Sequence, residues 1–91
     1  MTDKEMLIEY INKFRLNCHY RFNFMPPEID GIPFYLYEKA HKEAKEEMIK
    51  EGIAEDKINI IEDTYNLFID TMKEKQDYSL AEKTVLNSIN S

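Results

Sequence analysis

The residues that could perform chemistry are few, and the first candidate is the adjacent pair Cys18 and His19. A cysteine nucleophile needs an imidazole within hydrogen-bond reach, usually oriented by a third group. Neighbouring residues on a helix point about 100° apart, so these two side chains would not face each other. Cys18 also falls on an apolar stripe, which predicts a buried and unreactive thiol. No catalytic residue is therefore expected.

A metal site is the second candidate, because Glu38-Lys-Ala-His41 places a carboxylate and an imidazole on one helix face. The motif resembles the Glu-x-x-His of ferritin-like di-iron proteins, in which two such motifs and two further glutamates hold the metals. This chain has one, so the resemblance implies a site formed across a symmetric dimer, with Glu9 or Glu62 as the bridging carboxylate. A solvated helix surface explains Glu38 and His41 more simply. We favour that interpretation and expect no metal or cofactor.

Basic and aromatic residues alternate near the end of the first predicted helix, in a pattern that suits stacking on single-stranded nucleic acid. They are Lys13, Arg15, His19, Tyr20, Arg21, Phe22 and Phe24. Only four of them are basic, and the acidic remainder of the chain repels phosphate. Direct nucleic-acid binding is therefore not expected.

The net charge of −6 lies entirely in the second half of the chain. Residues 1–45 hold seven basic and seven acidic side chains, whereas residues 46–91 hold five lysines and eleven acids. Four of these acids recur at roughly helical spacing and predict an acidic arc: Glu55, Glu62, Asp63 and Asp70. The arc could meet a basic groove on another protein, even one that normally holds nucleic acid. An ordinary solvated face is the simpler explanation.

A second feature that fits a protein partner is the aromatic run Phe34-Tyr-Leu-Tyr37. Four consecutive large side chains on a helix point in all directions, so they cannot all face one core. Aromatic side chains are common anchors of interfaces. We expect at least one of Phe34, Tyr35 and Tyr37 to be exposed, and we assign all three to a partner or dimer surface. The alternative is that residues 22–37 fold over the end of the helices as a satellite of the core.

Apolar periodicity predicts four helices and no strand. The first spans about residues 3–22, is capped by Thr2 or Asp3, and gives way to a loop at Pro26-Pro27. The second spans about residues 33–51, from Pro33 to a left-handed C-cap at Gly52.

The third predicted helix spans about residues 55–75 and packs antiparallel to the second, because the connection at Gly52 is short. It carries a heptad seam that we expect to be the most buried part of the protein: Ile58, Ile61, Tyr65, Phe68 and Met72. The fourth helix spans about residues 80–89 and should begin at a capping box formed by Ser79 and Glu82.

A chain of 91 residues that is 43% hydrophobic and 33% charged is typical of one small globular domain. The single cysteine excludes an intrachain disulfide, and no apolar run reaches the roughly 20 residues that a membrane span needs. Because no signal-peptide core is visible either, we expect a cytoplasmic protein. The predicted fold is all-α: a small helical bundle of three main helices plus a short C-terminal helix.

The sequence favours a non-enzymatic function, in which a small acidic module binds another protein and regulates or inhibits it. One concrete form is an antitoxin-like or phage-type inhibitor of a basic protein that handles nucleic acid. The enzyme-class alternative is the di-iron site across a dimer through Glu38 and His41. A third class is a structural homo-oligomer, of which a homodimer is the simplest case.

Overall fold

The structure, a computed structural model, describes residues 2–23 and 33–88, and that part of the chain is all-α. Helix α1 spans Asp3–Leu16 and continues as a π-helix over Asn17–Arg21. Helices α2, α3 and α4 span Phe34–Lys50, Glu55–Lys75 and Tyr78–Asn87, with no strand among these described residues. The predicted loop at Pro26-Pro27 and the predicted last residue of the fourth helix lie outside them.

Side chains cap the starts of α1 and α4, and the cap of α4 corrects a prediction. Thr2 caps α1 in a capping box, where its hydroxyl accepts from the Glu5 N–H at 3.1 Å and the Glu5 carboxylate accepts from the Thr2 N–H at 2.9 Å. The prediction that Ser79 caps the fourth helix is wrong. Asp77 is the cap, since its Oδ1 accepts from the Leu80 N–H at 3.1 Å and Ser79 lies inside the first turn.

The end of α2 is confirmed as a left-handed glycine cap. Gly52 has φ +90°, and its N–H donates to the Ile49 carbonyl at 2.9 Å. The N–H of Ile53 reaches the Met48 carbonyl at 3.4 Å, so the two bonds form a Schellman motif. At the other end, Pro33 occupies the cap position itself and the helix begins one residue later.

The centre of the core is an aromatic cluster to which each helix contributes one ring: Phe14, Tyr37, Phe68 and Tyr78. Ring centroids of neighbours in this cluster lie 5.3 to 6.5 Å apart, from the Phe68–Tyr78 pair to the Tyr37–Tyr78 pair. Such tilted and stacked pairs add to the free energy gained by burying the rings. The cluster therefore fixes how the four helices meet.

The expectation that the α3 seam is the most buried part of the protein is wrong. Ile58 and Tyr65 are only half-buried, whereas α1 buries a full stripe: Met6, Leu7, Tyr10, Ile11 and Phe14. Helices α1 and α3 each contact all three other helices, so the central place is shared between them and α3 buries only part of its seam. A heptad seam alone cannot reveal how that place is shared.

Helices α2 and α3 are antiparallel, as the short Gly52 connection predicts. Tyr37 contacts Phe68, and His41, one turn later on α2, contacts Tyr65, nearly one turn earlier on α3. None of the described helices is both long and apolar enough to cross a membrane.

Candidate functional site

The π-helix is organised by Asn17, a residue that the sequence did not single out. A π-helix bonds each N–H to the carbonyl five residues earlier, here Phe22 to Asn17 at 3.1 Å. The Asn17 side chain donates through Nδ2 to the Lys13 carbonyl at 2.8 Å and to the Glu47 carboxylate at 3.1 Å. Its Oδ1 accepts from Nε of Arg21 at 3.1 Å. Asn17 is buried with its amide fully used, so it ties the widened turn to α2.

A chain of polar side chains crosses the interior from α1 to α3. The Tyr10 hydroxyl and Nδ1 of His41 lie 2.6 Å apart, and Nε2 of His41 lies 3.0 Å from Oε1 of Glu62. The same oxygen accepts from the Lys45 ammonium at 2.6 Å. Tyr65 stacks on the imidazole with ring centroids 4.0 Å apart and planes 8° from parallel. We call Tyr10, His41, Glu62 and Lys45 the polar chain.

The shifts of the pKa values in the polar chain show which of its groups carry a proton. Burial lowers the pKa of His41 below its ordinary value, although the neighbouring Glu62 carboxylate opposes this. Burial also disfavours the Glu62 carboxylate, but hydrogen bonds from Lys45 and His41 outweigh it and lower its pKa. Burial raises the pKa of Tyr10 well above its ordinary value. A neutral His41 therefore donates from Nε2 to Glu62 and accepts the Tyr10 hydroxyl at Nδ1.

The polar chain has the hydrogen-bond order of a catalytic base and its orienting acid, and its central atoms are closed to solvent. His41 is 3% exposed and Tyr10 is 3% exposed. The cavity beside Tyr10 and Tyr65 has a volume of about 20 Å³ and apolar walls. That is room for about one water molecule. The polar chain joins three helices through buried hydrogen bonds.

The structure corrects the interpretation of Glu38 and His41 as solvated surface residues. Glu38 is exposed and lies 3.7 Å from the Lys42 ammonium, whereas His41 is buried and its carboxylate partner is Glu62. A metal at His41 would have to displace Tyr10 or Glu62. Within the described residues, no three His, Cys, Asp or Glu side chains are grouped as metal ligands. The di-iron site across a dimer stays a prediction.

Cys18 lies where the sequence placed it. Its thiol is completely buried, and burial raises its pKa to about 12. A thiol with that pKa is protonated at neutral pH and is a poor nucleophile. The prediction of an inert core cysteine is confirmed.

The acidic arc divides into two parts in the structure. Glu62 turns inward to His41 and Lys45, whereas Glu55, Asp63 and Asp70 are exposed. Across residues 2–23 and 33–88, no cationic nitrogen lies within 4 Å of the carboxylates of these three exposed acids. We call Glu55, Asp63 and Asp70 the acidic stripe. Glu55 also lies in the first turn of α3, where a negative charge stabilises the helix.

The aromatic run is divided in the same way. Tyr35 is 58% exposed and Phe34 is 39% exposed, so the expectation of at least one exposed aromatic is confirmed. Tyr37 is 0% exposed and belongs to the core cluster, so its assignment to a partner surface is wrong. The reason is that Tyr37 continues the apolar stripe of Ala40 and Ala44, which faces the other helices.

Three basic residues around the π-helix lie near acids. The Lys13 ammonium lies 2.5 Å from Glu51, the Arg15 guanidinium 3.9 Å from Glu82, and Nε of Arg21 3.7 Å from Glu43. Each cation therefore has an acid beside it, which weakens any attraction for phosphate. The expectation that the chain does not bind nucleic acid directly stays a prediction.

Comparisons with known proteins add no relative. The chain matches no protein-family model, no curated protein and no solved structure. The function is therefore inferred from the surfaces described above.

Proposed function

We propose that this protein is a non-enzymatic acidic module that binds a protein partner with a basic surface and regulates or inhibits it. The observation that carries the proposal is the acidic stripe of α3. Four of the seven acids on α1 and α2 lie within 4 Å of a cation, such as Glu9 beside Lys13, whereas neither of the exposed carboxylates of Asp63 and Asp70 has a cation within 4 Å among the described residues. Uncompensated charge on one face is what steers association with an oppositely charged partner.

The exposed aromatic pair supports the same surface. The Lys73 ammonium lies 5.8 Å from the centre of the Phe34 ring, so the start of α2 lies against the end of α3. Asp70 is one turn before Lys73 on the same helix face. The acidic stripe therefore ends near Phe34, and Tyr35 is the next residue of α2. Interfaces commonly combine an aromatic anchor with a charged periphery of this kind.

The spacing of the charges in the acidic stripe also suggests what kind of surface the partner has. Asp63 and Asp70 are two turns apart, about 10 Å along the helix, and repeat negative charge along a rod. A groove that normally holds nucleic acid is lined with lysine and arginine and would accept such a rod. An antitoxin-like or phage-type inhibitor acting in the cytoplasm is the concrete form of the proposal.

The proposal is tested with two matched double variants. Asp63→Asn/Asp70→Asn removes two charges from the stripe, and Glu38→Gln/Glu46→Gln removes two exposed charges from α2. Each is immobilised and exposed to lysate of the native host, and captured proteins are identified and then purified for titration calorimetry. The proposal expects a basic partner that binds the wild type and the α2 variant and binds the stripe variant at least about tenfold more weakly, which is about 1.4 kcal/mol.

Two outcomes contradict the proposal. One is equal weakening by both double variants, because a general loss of charge would then explain the result. The other is a partner whose affinity does not fall with added salt, since attraction between exposed charges is screened. Thermal melts of both variants, followed by circular dichroism, verify that the fold is retained.

A further inference from the structure

The junction of α1 and the π-helix presents two large apolar side chains to solvent, Leu16 at the end of α1 and Tyr20 in the π-helix. Tyr20 is 77% exposed and Leu16 is 54% exposed, the first and third highest values among the large hydrophobic residues of the described chain, with Tyr35 at 58% between them. Arg15 and Arg21 flank them, and the His19 ring lies 4.4 Å from that of Tyr20. We call these five residues the cationic knob. The ion pairs of its arginines are long and partly exposed, so exchanging them for new partners costs little.

A cleft with an apolar floor and an exposed acid lies at the other end of α1. It has a volume of about 360 Å³ and is lined by Asp3, Ile60, Asp63, Thr64, Leu67 and Ser88. Ile60 and Leu67 are half-buried and form an apolar floor, and Asp63 is an exposed acid with no cation within 4 Å among the described residues. We call it the acidic cleft.

The knob and the cleft of one chain cannot meet each other. Asp3 and Leu16 are the first and last residues of α1, which has 14 residues. At about 1.5 Å per residue, about 20 Å of rigid helix separates the two sites. Any contact between them must therefore join two copies of the chain.

We propose that the cationic knob of one copy docks into the acidic cleft of a second copy. Tyr20 and Leu16 would cover the apolar floor at Ile60 and Leu67, and an arginine of the knob would pair with Asp63. Apolar surface meets apolar surface and positive charge meets negative charge, so each site supplies what the other lacks. Because the two sites differ, the contact is head-to-tail and leaves a free knob and a free cleft at the ends of each assembly.

The cleft shares Asp63 with the acidic stripe, so a second copy and the proposed partner compete for that part of α3. Self-association is measured on the purified chain alone. Its failure would leave the proposed partner binding intact, and the absence of a partner would leave self-association intact.

The experiment is sedimentation equilibrium over a concentration series with three variants. Arg15→Ser/Tyr20→Ser disables the knob without adding charge, Asp63→Lys disables the cleft, and Glu46→Lys reverses a charge on α2 outside both sites. The proposal expects the wild type and Glu46→Lys to gain mass with concentration and to lose it with added salt. Each disabled variant alone associates at least about tenfold more weakly.

Mixing the two disabled variants is the decisive measurement. The knob variant retains an intact cleft and the cleft variant retains an intact knob, so the mixture forms a one-to-one complex and stops there. A wild type that stays monomeric at all concentrations overturns the proposal and leaves the cleft to a different protein. A mixture that fails to associate, or disabled variants that associate like the wild type, also overturns it. Tyr20→Ser replaces the knob variant if melting shows that the double change unfolds α1.

Discussion

The hydroxyl of Tyr10 and Nδ1 of His41 are joined by a hydrogen bond of 2.6 Å at a place where neither side chain is exposed to water. Tyr10 belongs to α1 and His41 to α2, and Glu62 of α3 continues the chain at Nε2. Each ring nitrogen of His41 thus has one partner, and these two hydrogen bonds fix the register of the three helices. A shift of any helix along its axis would leave a buried polar atom unpaired.

Tyr10→Phe removes only the hydroxyl and leaves Nδ1 of His41 buried without a donor. The free energy of unfolding should fall by about 1–3 kcal/mol, because the nitrogen loses its bond and remains out of contact with water. Urea denaturation at pH 7 measures the change. Tyr35→Phe is the control, since that hydroxyl is on an exposed ring and its loss should cost less than about 0.5 kcal/mol. A Tyr10→Phe protein as stable as the wild type would show that the bond does not contribute.

Stability should decrease as the pH falls below about 6.5, the ordinary pKa of histidine. Burial lowers the pKa of His41 in the folded state, so the unfolded chain takes up this proton at a higher pH than the folded chain does. The stabilisation is complete above about pH 6.5 and is lost as the pH falls through the lower folded pKa. The slope is at most about 1.4 kcal/mol per pH unit.

The variant His41→Gln isolates this titration, because glutamine can bond both neighbours and carries no proton equilibrium. Urea denaturation of both proteins at pH 7, 6 and 5 should give a wild type that weakens more steeply than the variant. Glu62 acts in a separate range: its lowered pKa stabilises the fold above its ordinary value of 4.5, and this is lost only at lower pH. Parallel slopes between pH 7 and 5 would exclude His41 as the titrating group.

The parts of the fold that the sequence predicts correctly are those set by local chemistry. The Thr2 cap, the left-handed Gly52 and the burial of Cys18 each depend on one residue type and its near neighbours. The exposure of at least one ring of the aromatic run is a similar case, because four consecutive large residues on a helix cannot all face inward. In such cases spacing along the chain is enough to predict the position of a side chain.

The parts that sequence reasoning misses depend on contacts between helices. Nothing local distinguishes Asn17 from an exposed helical asparagine, because its bond to Glu47 spans 30 residues. His41 carried a usable signal: it follows Tyr37 by one turn and falls on the apolar side of α2. That spacing predicts burial, but only the folded chain shows that the partner is Glu62 and not Glu38.

Gln76→Gly should stabilise the protein. Gln76 ends α3 with φ +51°, a left-handed conformation that costs a residue with a Cβ about 1–2 kcal/mol. Glycine removes that cost but has more freedom in the unfolded chain, so a net gain of about 0.5–1 kcal/mol is expected. Gly52→Ala is the reverse test: Gly52 has φ +90°, and the variant should lose about 1 kcal/mol. Thermal melts of both variants test these expectations. A Gln76→Gly protein with a melting temperature below that of the wild type would contradict them.

Asn17→Ala should destabilise the protein by about 1–3 kcal/mol, because the Lys13 carbonyl loses its Asn17 donor and the link to Glu47 is broken. Amide hydrogen exchange should increase first in residues 17–22, where the π-helix depends on this side chain. Asn12→Ala is a matched control on the exposed side of α1 and should change stability by less than about 0.5 kcal/mol. Equal effects of the two changes would show that Asn17 does not organise the turn.

The two tyrosines of the aromatic run should respond differently to replacement by alanine. Tyr37→Ala empties a site in the core cluster and should cost about 3–5 kcal/mol of unfolding free energy, as for other large buried aromatics. Tyr35→Ala removes an exposed ring and should change stability by no more than about 0.5 kcal/mol. If Tyr35 anchors the proposed partner, the same change should weaken binding by about 1–2 kcal/mol in titration calorimetry. A Tyr35→Ala protein that keeps both its stability and its affinity would remove Tyr35 from the interface, because a bystander on the surface changes neither quantity.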